Sequence, residues 1–308
     1  LLSFLTRPPD PMIVGDGWKD LWLDRLAHLE WILPTWLDHP NHDDFWTKGF
    51  PSDENVGLKI PTLIAAGVSD VYVNALLRMV KKQPDNVKGV VGPWGHHFPH
   101  RGLPGPDINW LHHCTRWFDR WLKGDQNNVE NDPPLRMFVT ESYRADGHSE
   151  GQRQGRWVSV ELDAPKPLRL HLSDHQQLHA DCYDGEIEVK TPATMGMAGG
   201  EFMPMGWGVD LPGDQRHDDE SSAVFDTVVL DQACEIIGKP TLNINVRCNK
   251  PTGFIVVRLC DVAPDGHSSR ISMAAHQLST AAGMQNHEPI KPEETYSIEI
   301  ELDAVCHR

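Results

Sequence analysis

Two short apolar runs in the first half of the chain each close on a polar residue: 61–66 is followed by Asp70, and 87–91 leads into His96. Between them Val73, Leu76, Leu77 and Val80 fall on one face of a helix predicted from Val71 to Lys82. A second helix is predicted from Ile108 to Lys123, with Gly124 as its stop. Strands alternating with helices imply βαβ units, parallel pairing and right-handed crossovers. Upstream, Trp18, Leu21, Trp22, Leu26, Leu29, Ile32, Leu33, Trp36 and Leu37 recur at spacings of three and four, interrupted by Pro34. Helices packing against a core account for this pattern. The alternative is a cap whose tryptophans shape an apolar acyl pocket.

Past the polar, proline-terminated stretch 125–134 the helical period fades. Short β-rich segments follow at Leu135–Val139, Leu168–Leu172, Ala223–Leu230, Thr241–Val246, Phe254–Val262, Ile271–Leu278 and Tyr296–Leu302. That spacing predicts an all-β sandwich or jelly roll. The Met/Gly-rich stretch from Met195 to Gly208 reads as an irregular loop without a catalytic role.

Composition narrows the function classes. The chain has 28 basic and 44 acidic residues, a formal net charge of −16, which sets nucleic acid and anionic membranes aside as partners. No apolar run reaches the roughly 18 residues of a membrane span. The N-terminus lacks the basic start of a signal peptide, and its first residue is Leu rather than Met, so the expectation is an interior start. Six scattered cysteines predict free thiols in a reducing, cytoplasmic setting, with a Cys248–Cys260 bridge across neighbouring strands as the alternative.

Asp70 and His96 are 26 residues apart, about one crossover helix plus one strand. If their strands are neighbours, both side chains open on the same sheet edge, where ligands of such sheets gather. A histidine base needs a carboxylate to hold its tautomer and a nucleophile at its other nitrogen. The chain offers no Gly-x-Ser-x-Gly elbow before them, although triads on open α/β sheets run Ser, acid, His. Ser69, within Gly67-Val68-Ser69-Asp70-Val71, lacks the second glycine of such an elbow. The competing reading of Asp70 is a helix N-cap. A zinc reading draws on His96, His97, His100, His112, His113 and Cys114, but their spacing matches no zinc motif, and no metal or other cofactor is expected.

Taken in order, Gly67-x-x-Asp70, Gly92-Pro93-Trp94-Gly95-His96 and Arg116-Trp117-Phe118-Asp119-Arg120-Trp121-Leu122-Lys123-Gly124 resemble the CocE/NonD hydrolases, the family of cocaine esterase and X-Pro dipeptidyl-peptidases. The later Asp214-Gln215-Arg216, Val224-Phe225-Asp226-Thr227, Glu235-Ile236-Ile237-Gly238-Lys239-Pro240 and Leu259–Gly266 look like that family's jelly roll. The resemblance implies the C-terminal part of an α/β-hydrolase fold, with the end of a helical cap, followed by an all-β jelly roll. The implied domains are 1–55 for the cap, 56–130 for the α/β part and 131–308 for a galactose-binding-like β-sandwich. It also implies Asp70 as triad acid, His96 as triad base, and Trp94, Trp18 and Trp22 as pocket candidates. The nucleophile would lie upstream and the last strands downstream, so the isolated chain would be inactive. The implied substrate is a small ester or amide, or a short Xaa-Pro peptide, with a homo-oligomer left open. The alternative is a non-catalytic β-sandwich binding module with a vestigial α/β piece. That would need an exposed aromatic platform, and the β domain's only tryptophans are Trp157 and Trp207.

Overall fold

The computed structural model describes residues 6–48, 58–148, 151–161, 167–173, 176–179, 181, 185–206, 208, 210–281, 283 and 287–308. It divides into two units, 1–49 with 282–287, and 50–281 with 288–308. In the first, helices run over Pro11–Val14, Trp18–Ala27, Ile32–Asp38 and Asp44–Thr47. Pro34 sits in the first turn of the third helix, where its missing N–H costs nothing, so it belongs to that helix rather than breaking it. The Asp10 and Asp43 side chains cap the short helices by accepting from Met12 N and Phe45 N. None of residues 6–48 is fully buried.

The second unit begins as expected. Strands β1 (Thr62–Gly67) and β2 (Val87–Gly92) pair in parallel, joined by a helix over Val73–Lys82. Every residue of β2 is buried, Lys88 included, so the strand shows no in–out alternation. Val73, Leu76 and Val80 of the helix bury one stripe against Val87 and Val91. The helix after the His-rich loop covers Trp110–Phe118, continues as a π-turn over Asp119–Lys123 and stops at left-handed Gly124.

The sheet does not end at the polar stretch. β3 (Leu135–Thr140) adds in parallel to β2, and β4 (Gly155–Ser159) pairs antiparallel with β3. Two-residue strands β5 (His171–Leu172) and β6 (Leu178–His179) form a separate ladder. Strand β7 (Ile236–Gly238) pairs with β12 (Val305–His307), which returns from the far end of the chain to pair with β3. The order is β1-β2-β3-β12-β7, and β1 has an unpaired edge among the described residues.

Four longer strands make two further ladders, β8 (Thr241–Arg247) with β11 (Thr295–Glu301), and β9 (Phe254–Val262) with β10 (Ser268–Gln277). Leu242, Ile244 and Val246 alternate with polar residues along β8, as Tyr296, Ile298 and Ile300 do along β11. Those inward faces meet Ile255, Val257 and Ala274 of the other ladder in one apolar cluster.

Two strand expectations fail. Of Leu168–Leu172 only the last two residues are β, and Ala223–Leu230 is irregular apart from a bridge at Asp226. Among the described residues no strand pairs with Val228, Val229 and Leu230, which are exposed. The Cys248–Cys260 bridge is also absent: both thiols are free, because β8 and β9 belong to different ladders.

Candidate active site

Gly67 of β1 stands opposite Gly92 of β2, so the loops leaving both strands emerge side by side. Three backbone bonds fix them: Val68 N–H to Gly92 O at 3.0 Å, Ser69 N–H to Trp94 O at 3.0 Å, and Asp70 N–H to Gly67 O at 3.1 Å. That turn buries Asp70 and aims it at His96. Nδ1 of His96 lies 2.9 Å from Asp70 Oδ2. A carboxylate accepts, so in the neutral imidazole this contact places the proton on Nδ1 and leaves a lone pair on Nε2. The other carboxylate oxygen, Oδ1, accepts from Tyr72 N at 3.1 Å. Asp70 thus braces its own turn with one oxygen and partners His96 with the other. The helix over Val73–Lys82 has Tyr72 at its N-cap and no side-chain cap, so Asp70 is not the helix N-cap.

The two side chains differ in access. Asp70 is 8% exposed and His96 39%, and Nε2 makes no hydrogen bond among the described residues. The dyad thus has its acid shielded from water and its basic nitrogen open. Tyr72, half-exposed with its ring 5.6 Å from that of His96, flanks the opening. Burial, then the neighbouring His96, pushes the His97 imidazole below its ordinary value.

Trp94 was expected to line a pocket, and the structure corrects this. Its side chain has no exposed surface, and its indole N–H donates to Pro106 O at 2.8 Å. It sits behind the histidine loop and cannot touch a substrate there. Trp18 and Trp22 lie in the other unit, stacked with ring centroids 6.2 Å apart, the Trp22 indole N–H donating to Thr6 O. The Met195–Gly208 stretch, which the sequence marks as an irregular loop without a catalytic role, supplies a contact the sequence did not signal: Pro204 O accepts the backbone N–H of His96 at 2.8 Å.

Two other Asp–His pairs in this unit lack such access. His267 Nδ1 is 3.1 Å from Asp214 and His307 Nε2 is 3.0 Å from Asp261, but both histidines are buried. The Ser142 hydroxyl reaches Asp261 and not the imidazole. For the zinc alternative, no group of three or more candidate ligands is gathered among the described residues. No helix among them is long and apolar enough to cross a membrane. Trp157 packs against Phe138 and Trp94 rather than forming a platform, and Trp207 lies outside the described residues.

Residues 127–308, more than half of the chain, match the family described as the X-Pro dipeptidyl-peptidase C-terminal non-catalytic domain, and residues 11–97 match X-Pro dipeptidyl-peptidase (S15 family). The chain belongs to the CocE/NonD family of serine hydrolases. Cocaine esterase from Rhodococcus is 23% identical to this CocE/NonD member over 91% of the chain and 51% of the esterase. The chain thus spans about half the length of that relative. Its fold is like that of an α-amino acid ester hydrolase, with TM-score 0.63, 19% identity, and 89% of this chain and 51% of that one covered. A CocE/NonD family hydrolase from Staphylococcus aureus gives TM-score 0.61 and 14% identity, over 97% and 53% of the two chains. The architecture they share is an α/β-hydrolase domain with a C-terminal β domain.

Proposed function

We propose that Asp70 and His96 are the acid and base of a Ser–Asp–His triad that hydrolyses an ester or amide, acyl or Xaa-Pro dipeptidyl. The observation that carries this is the shielded Asp70–His96 hydrogen bond of 2.9 Å with Nε2 left open. In this reading the residues divide as 1–55 cap, 56–130 α/β part and 131–308 jelly roll, and the nucleophilic serine lies outside these 308 residues. The unpaired edge of β1 supports further strands beside it.

His96 Nε2 would take the serine proton as the hydroxyl attacks the carbonyl, while Asp70 holds the Nδ1–H tautomer and stabilises the imidazolium. The same nitrogen would then protonate the leaving alcohol or amine. Water, deprotonated in turn by Nε2, would release the acid from the acyl-enzyme. The names of the relatives, an esterase and an α-amino acid ester hydrolase, favour small acyl substrates.

The test is a fluorophosphonate incubated with the 308-residue chain and followed by intact mass. No adduct is expected. A stoichiometric serine adduct would overturn the assignment of the nucleophile to another segment.

A further inference from the structure

We propose that the network of part-buried Arg258 with buried Gln215 and Asp218 is a positioning device for His96, acting through the loop 195–206. The proposal rests on the reading of His96 as the base.

The loop touches the dyad at its tip. Pro204 is buried and its carbonyl holds the His96 N–H at 2.8 Å. The approach is close: a Cβ on Gly95 would fall 2.8 Å from Pro204 O and 3.0 Å from its Cγ, so only glycine lets the two loops meet. Between root and tip the loop is tied by the Glu201 N–H to Asp210 O bond at 2.8 Å, while Phe202 and Met205 stay exposed.

Its root is clamped by polar side chains that are themselves buried. Gln215 is wholly inaccessible, yet its amide is fully satisfied. Nε2 donates to Ala198 O and Gly213 O, each at 2.8 Å, and Oε1 accepts from Arg258 Nη1 at 2.9 Å. Asp218, 2% exposed, accepts Gly196 N–H on Oδ1 at 3.0 Å. Arg258, anchored in β9, also donates to Asp219 Oδ1 at 2.9 Å and Ser222 Oγ at 2.8 Å.

An apolar side chain would fill the Gln215 site equally well. A buried amide whose N–H groups end on loop carbonyls instead fixes the path of that loop, because any shift strands two donors away from water. The linkage runs from β9 through Gln215 to Ala198, along the loop to Pro204, and into the amide of the base. A misplacement of about 1 Å at such a group costs on the order of a hundredfold in rate.

The experiment follows His96 itself in the 308-residue chain: hydrogen exchange of its backbone amide, and the 15N spectrum of its ring, which reports the nitrogen that carries the proton. Gln215→Leu is expected to raise His96 amide exchange by about tenfold, the loss of one hydrogen bond's worth of protection, and to shift the ring resonances. Gly95→Ala, which presses on the same contact from the other side, should give the same signature. Arg258→Lys, which keeps a cation, should give a smaller one. Ile298→Val, in the apolar cluster between the ladders, should lower the melting temperature and leave both His96 readouts unchanged. If Gln215→Leu does not fold, Gly95→Ala and Arg258→Lys decide. Folded variants with unaltered His96 amide and ring signals would overturn the proposal. A parent ring protonated at Nε2 would instead sink the reading of His96 as base, while the amide would still report the loop.

Discussion

Replacing Trp94 by Ala removes the largest fully buried side chain among the described residues, two residues from His96. The indole is gripped by backbone on both sides. A Cβ on Gly92 would lie 2.4 Å from a ring atom and one on Gly102 2.2 Å, so little side-chain mass nearby can relax into the space. Truncation of a buried aromatic costs about 3–5 kcal/mol, and a site that collapses poorly lies at the upper end. Pro106 O also loses the indole donor at 2.8 Å, worth about 1 kcal/mol. The sum, about 4–6 kcal/mol, is a large part of the usual 5–15 kcal/mol for a folded domain. Native-state hydrogen exchange of the Val90 and Val91 amides in β2 reads this unit separately from residues 1–49. At about 1.4 kcal/mol per tenfold, the variant should exchange there roughly a thousandfold to ten-thousandfold faster. A rise below tenfold would refute the claim that Trp94 is the buttress of the histidine loop.

Three further outcomes follow from other residues. Asp70→Asn, in a polypeptide that also carries the serine, should lower kcat on the order of 10⁴-fold by presenting an N–H donor to Nδ1, and an unchanged kcat in an ester-hydrolysis assay would exclude Asp70 as the acid. Asp214 is held down to about 2, chiefly by the Arg216 side chain, against 3.8 for the free group. A depressed carboxyl contributes stability that is present above about pH 4 and lost as pH falls through about 2, so Asp214→Asn should flatten the stability–pH curve in that window, measured by urea titration. Burial pushes the Cys306 thiol up to about 12, so iodoacetamide should modify exposed Cys234 in the native chain and Cys306 only after denaturation, as read by peptide mass mapping.

The parts legible in the sequence were those with local causes. β1, β2 and the helix between them carry strong apolar patterns, and parallel pairing with a short crossover brings Asp70 and His96 to one edge by geometry alone. β8 and β11 announce themselves by alternation, because one face is buried, and β9 by its run of β-branched and apolar residues. What could not be read depends on distant residues. β12 is only three residues long and becomes a strand by pairing with β3 and β7. Val228–Leu230 has strand propensity but no strand partner among the described residues, and an isolated β segment gains nothing from it. Trp94 looked like a pocket residue since an aromatic beside a catalytic loop serves a pocket or a core equally well, and only packing decides. The link from Pro204 to His96 uses a backbone carbonyl, which leaves no side-chain signature at all.

The central claim is that the open nitrogen of His96, oriented by Asp70, deprotonates a serine. It is tested most directly by His96→Ala in the polypeptide translated from the whole reading frame that contains these residues, followed by the rate of fluorophosphonate labelling. The account predicts that the parent is labelled at one serine and that the variant, still folded by circular dichroism, is labelled at least about a hundredfold more slowly, the lower end of a general base's contribution. Labelling of the variant at the parental rate would contradict it.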